Sequence, residues 1–131
     1  MKKAVWTAAC CLLVAALPVG NAPAGALDGY RCAVLPFRAG DRDMHPSVAA
    51  TVTLRFATLL RERSNCRLTE PFEAEARLRE AGLERRNDPD EAAYAAAAAE
   101  LLRVDHVIFG GIHRRPAGLA LTTSLLDARS G

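Results

Sequence analysis

The apolar positions of this chain fall into blocks of two different periods. In RCAVLPF, residues 31–37, they run almost continuously, as in a strand buried on both faces of a parallel sheet. The polar RAGDRDMH that follows contains Gly40 and reads as a loop, and Pro46 suits the first turn of a helix. From Val48 the apolar residues recur every three or four positions, at Val52, Phe56, Leu59 and Leu60. That spacing draws one helical face, which should run out near RERSN. CRLTE, residues 66–70, is a short second strand closed by Pro71. FEAEARLREAG reads as a short helix with Leu78 and Ala81 on one side and Gly82 as its C-terminal cap.

The next block opens on a capping pattern. In NDPDEAAYAAAAAELLRV, Asp88 is the N-cap, Pro89 the first helical residue, and Glu91 lies three past the cap. The alanine-rich centre has high helix propensity, and its small side chains let a helix lie close to a sheet. HVIFGGIHR, residues 106–114, is a third strand, RPAG a turn and LALTTSLLDA a fourth strand. In the fourth, Leu119, Leu121, Thr123 and Leu125 alternate with Ala120, Thr122 and Ser124, so one face is the more apolar. Gly110 and Gly111 inside a strand predict a bulge or a close helix approach. The predicted order is β-α-β-α-α-β-β. This is an α/β fold, a two-layer or three-layer sandwich, whose mixed sheet has three parallel strands and an antiparallel C-terminal hairpin strand.

The N-terminus carries a different signal. MKK is a positive n-region, AVWTAACCLLVAALPVG an apolar h-region, and NAPAGA supplies small residues at the A-x-A spacing. Residues 1–26 therefore read as an export signal cleaved after Ala24 or Ala26, leaving residues 27–131 as a single domain. The apolar run is shorter than a spanning helix needs, so no stable membrane span is expected after cleavage. Lipid anchoring at Cys10 is disfavoured because too few apolar residues precede it. Both lysines, Lys2 and Lys3, leave with the signal, so 17 basic and 15 acidic residues become 15 of each. No basic excess remains for a nucleic-acid partner.

Export also changes the reading of the cysteines. Cys10 and Cys11 lie in the signal, which leaves Cys32 and Cys66 as an even pair in an oxidising compartment. Each stands at the entrance of a predicted strand. If those strands are parallel neighbours, a disulfide is expected, with two buried free thiols as the other reading. Two cysteines and scattered histidines do not make a metal site.

The blocks together resemble a family. CAVLPF at residues 32–37, a long helix, VDHVIFGGI at 104–112 and LLDARSG at 125–131 look like the N-terminal domain of TolB, and equally like the domains of CsgG and LpoB. The resemblance implies a small periplasmic α/β domain used for protein contacts in the bacterial envelope, without catalysis or cofactor. Three departures accompany it: Arg103 stands where such domains carry glycine, His106 replaces an aromatic, and no further strand follows DARSG. The sequence then reads as a truncated product or a fragment of a longer precursor lacking its last strand, or as a complete protein whose fourth strand presents an open edge, which invites pairing with a partner strand.

Candidate chemistry is sparse. His106 and His113 lie seven apart on one strand, on opposite faces, and His45 lies in a loop. The glycine pair lacks the Lys-Ser/Thr and the helix of a phosphate loop. Asp105 is expected to cap or turn the helix-to-strand junction, and Asp127 is expected to start a turn by bonding the backbone that follows. Two function classes remain. The first is a non-catalytic exported interaction domain assisting envelope assembly or secretion. Its candidate contact residues are Leu119, Leu121, Thr123 and Leu125 on the edge, with Arg114 and Arg115 at the turn. Its partner would be another envelope protein, and the edge also allows a homo-oligomer. The second is a small ligand-binding protein or enzyme with a site near Asp105, His106 and Asp127.

Overall fold

Pro36 splits the first apolar run, and the sheet is built around that split. In the computed structural model, which describes residues 4–12, 27–84 and 91–129, the elements run as follows. β1 spans Ala4–Leu12, β2 Arg31–Val34 and β3 Arg38–Ala39, before helix α1 at Pro46–Arg63. Next come β4 (Arg67–Thr69), α2 (Pro71–Glu80), α3 (Glu91–Leu102), β5 (His106–Arg115) and β6 (Gly118–Asp127). All six strands join one mixed sheet in the order β1-β6-β5-β2-β4, with β3 also on β5. β2 is parallel to both β4 and β5, and β6 returns antiparallel to β5. The α/β class and the directions of the four long-predicted strands are therefore as the sequence implies.

The chain steps from β2 outward to β4 through α1, then back past β2 to β5 through α2 and α3. Right-handed crossovers in opposite directions place α1 on one face and the other two helices on the opposite face. Two apolar clusters record this. Ala33, Leu35, Val107, Phe109 and Leu126 pack with Ala74, Leu78, Ala95, Ala98, Ala99 and Leu102 of α2 and α3. Cys32, Val34, Ile108, Ile112 and Leu121 pack with Ala49 and Leu60 of α1 and with Phe37 and Met44. The arrangement is thus three layers.

Leu35 and Phe37, two apart, belong to opposite clusters. The register explains it. Val34 pairs with Ile108 but Arg38 pairs with Gly111, so one extra residue lies on the Leu35–Phe37 side. The irregularity expected at the glycines is carried by the strand beside them. Gly110 is needed for another reason: a Cβ there would run into the Thr122 carbonyl of β6.

The buried stripe of α1 is Ala49, Thr53, Ala57 and Leu60, with Val48, Val52 and Phe56 half-buried beside it. Small residues at the centre bring the helix close enough for Thr53 to serve the bulge. Its hydroxyl accepts from the Phe37 N–H (2.9 Å) and donates to the Ala49 carbonyl (2.7 Å). In α2 the buried side is Pro71, Ala74 and Leu78; Ala81, expected inside, is exposed because the helix ends there. Gly82 (φ 83°) and Arg103 (φ 54°) both take the left-handed C′ position. Their helices close with paired bonds, Leu83 N–H to Leu78 O and Gly82 N–H to Arg79 O, then Val104 N–H to Ala99 O and Arg103 N–H to Glu100 O. The cap expected at Asp88 and Pro89 lies outside the described residues; Glu91 opens α3 and pairs with Arg38 at 2.9 Å.

Candidate interaction edge and strand-base cluster

Apart from β1, the sheet is bounded by β4 on one side and β6 on the other, and these two strands are built differently. β4 is three residues long and carries Arg67, so its exposed backbone is short and charged, which discourages pairing. β6 is ten residues long, and from Leu119 to Leu126 it has no charge and no proline. None of the usual protections of an edge is present along that run. In the intact chain that edge is not open. β1 lies along it, antiparallel, in unbroken register from Ala4 opposite Asp127 to Leu12 opposite Leu119. Ala4–Leu12, the first part of the apolar stretch, is thus a strand in the intact chain, and among the described residues no helix is long and apolar enough to cross a membrane.

The candidate contact residues on β6 divide by depth. Leu121 is buried, whereas Leu119, Thr123 and Leu125 are half-buried. Leu119, Leu121 and Leu125 belong to the α1-side cluster. Arg114 and Arg115 are exposed at the hairpin end. Arg114 is committed to the loop before α1: its N–H donates to Asp41 Oδ2 (2.6 Å) and its guanidinium meets Asp43 at 3.2 Å.

At the other end of the sheet, Asp105, His106 and Asp127 do come together. His106 and Asp127 are directly paired residues of β5 and β6. The His106 ring is buried, and neither of its nitrogens has a hydrogen-bond partner. Its Nδ1 lies 3.8 Å from Asp127 Oδ1. Tyr30 packs edge-on against the ring at 5.2 Å between centroids, and the Arg129 guanidinium lies 3.9 Å over the Tyr30 ring. Burial holds the imidazole below its ordinary pKa; Arg129 acts in the same direction, and Asp127 and Asp105 oppose it without prevailing.

Both carboxylates serve the backbone. Asp127 Oδ1 accepts from the Arg129 N–H (2.9 Å), the turn expected of it. Burial raises the Asp127 pKa, but that bond and the charges of His106 and Arg129 leave it lowered on balance. Asp105 does not cap the helix junction. Its carboxylate accepts from the Arg31 N–H (2.9 Å), its N–H donates to the Arg31 carbonyl, and its carbonyl accepts from Ala128. It ties together the ends of β2, β5 and β6. Sequence reasoning misses Tyr30 and Arg129, whose only sign is their place just outside the first and last strands.

Cys32 and Cys66 are neighbours as expected, at the starts of the paired strands β2 and β4, but stand as free thiols. Burial first, then the adjacent Cys66, pushes the Cys32 thiol up to about 12. The Ser64 hydroxyl donates to Cys66 Sγ at 3.2 Å. The other histidines stand apart. His45 caps α1, accepting from the Ser47 N–H. His113 is exposed, and a Cβ on Gly40 would run into its ring. His113 lies seven positions along β5 from His106, about 23 Å.

Comparison with protein-family models, curated proteins and solved structures gave no match.

Proposed function

We propose that this chain is an exported, non-catalytic interaction domain of the bacterial envelope, assisting assembly or secretion, and that it works through the β6 edge. One observation carries the reading: β6 runs from Leu119 to Leu126 without charge or proline, and the margin strand that covers it comes from the segment that reads as an export signal. Cleavage after Ala24 or Ala26 would remove that cover and leave a row of unpaired N–H and C=O groups, a template for another strand. The resemblance to the TolB, CsgG and LpoB domains and the balanced charge of residues 27–131 agree with it. The base cluster supports a ligand or catalytic site less well. Its imidazole is covered by Tyr30 beneath Arg129, and its carboxylates are engaged by backbone N–H groups.

The test is fractionation with intact-mass measurement, followed by partner capture. The expected product is periplasmic and begins at Gly25 or Leu27. Thr122→Pro and Thr123→Pro then separate the two sides of β6. In a strand, neighbouring N–H groups point to opposite sides, so one substitution should break pairing with β5 and unfold the sheet. The other should leave the helices intact and abolish partner binding. A protein that stays cytosolic with residues 1–26 attached, or partner binding that survives both substitutions, overturns the proposal.

A further inference from the structure

The same edge specifies the chemistry of what it binds. We infer that β6 accepts an extended, uncharged, apolar segment of another protein, running antiparallel, and that Ala4–Leu12 is its occupant in cis until it is removed. This rests on the edge being the working surface. Three observations point to such an occupant. First, the segment already lying there, AVWTAACCL, is nine residues long, has no charge, and pairs with β6 along its whole length. Second, the register sets it against a strand whose two faces differ. Trp6, Ala8, Cys10 and Leu12 stand opposite Leu125, Thr123, Leu121 and Leu119, whereas Val5, Thr7, Ala9 and Cys11 stand opposite Leu126, Ser124, Thr122 and Ala120. Apart from Asp127, opposite Ala4 at the end of the register, neither row offers a charged residue to pair with a charge, so a strand charged along its middle would lose solvation without compensation. Third, the opposite edge of the sheet is short and charged, so the lack of protection is confined to β6.

Among the residues whose side chains are described, both apolar clusters are formed from Leu27 onward. β1 supplies backbone pairing to β6, which another strand of suitable side chains could supply in its place. The covering strand therefore acts as a competitor: apparent affinity for a partner falls by the fraction of time the edge is open.

The experiment compares the full chain with residues 27–131, each checked by circular dichroism. The probe is a labelled peptide of the Ala4–Leu12 sequence with serine for both cysteines, read by fluorescence anisotropy. The shorter chain should bind it, and the full chain should bind about tenfold more weakly or worse. Peptides N-methylated at alternate residues give the second readout. One phase points its N–H groups at β6 and should lose binding, and the other should bind as before. A version with lysine at Ala8 and Cys10 should not bind. Equal binding by the two chains overturns the occlusion. Equal loss for both N-methyl phases, or undiminished binding of the lysine peptide, overturns the strand chemistry. So does a shorter chain that forms a dimer the peptide cannot dissociate, because the occupant would then be a second copy. The assay is independent of export: if residues 1–26 are retained in cells, the localisation falls while the peptide result still judges the edge.

Discussion

His106 Nδ1 lies 3.8 Å from Asp127 Oδ1, yet neither ring nitrogen has a hydrogen-bond partner. The pair is held by strand register rather than by a bond, since the two residues sit opposite each other on β5 and β6. Burial outweighs the neighbouring carboxylates, so the imidazole is neutral where a free histidine would begin to charge.

This makes the fold acid-sensitive. The folded pKa of His106 lies below its ordinary value of 6.5, so below that pH the unfolded chain binds the extra proton first. The contribution is fully present above 6.5 and is lost as pH falls from there toward the folded pKa. Asp127, also lowered, adds a second loss below its ordinary 3.8. Thermal melts between pH 7.5 and 5 should show Tm falling with pH. His106→Phe should flatten that slope, and an unchanged slope would refute the assignment.

Thr53→Val should destabilise the domain by about 1–3 kcal/mol, because the buried Phe37 N–H loses its acceptor while the volume is kept. Thr53→Ser keeps the hydroxyl and should cost less. Urea unfolding of the two variants separates the hydrogen bond from the packing.

Arg103 is the described non-glycine residue with positive φ. Arg103→Gly should stabilise by about 1 kcal/mol, the relief of left-handed strain less the added freedom of the unfolded chain. A denaturation midpoint that falls would show that the Arg103 side chain contributes more than its backbone costs.

Cys32 and Cys66 should join under oxidising conditions, with a mass loss of two hydrogens and a gain of about 3–4 kcal/mol in the chain-entropy account. Reduced protein should react with iodoacetamide at Cys66 first. Cys32 is fully buried, and its pKa of about 12 keeps it a thiol at ordinary pH. Equal labelling of both in the folded state would contradict the structure.

Much of this architecture is written locally. Pro36, Pro46 and Pro71 delimit elements because proline restricts its own φ and its predecessor. Gly82 and the Ala-rich block mark a cap and a close helix for equally local reasons. Strand directions follow as well, since long crossovers impose parallel pairing and a two-residue turn imposes antiparallel pairing. The candidate site was legible only in part. The charge-free run of β6 is visible in the sequence, and so is the turn role of Asp127.

Other features required the tertiary structure. Thr53 looks like an ordinary helical threonine until the bulge at Leu35–Phe37 presents an N–H to it. His106 reads as a strand-end histidine until Tyr30 and Arg129 cover it from far along the chain. The occupant of the β6 edge was the least legible. Hydrophobic period tells which face of a strand is buried, but the bonds along its edge come from backbone groups common to every residue. Such bonds carry almost no sequence signature, so an apolar stretch that reads as an export signal by composition could also become the strand that completes the sheet.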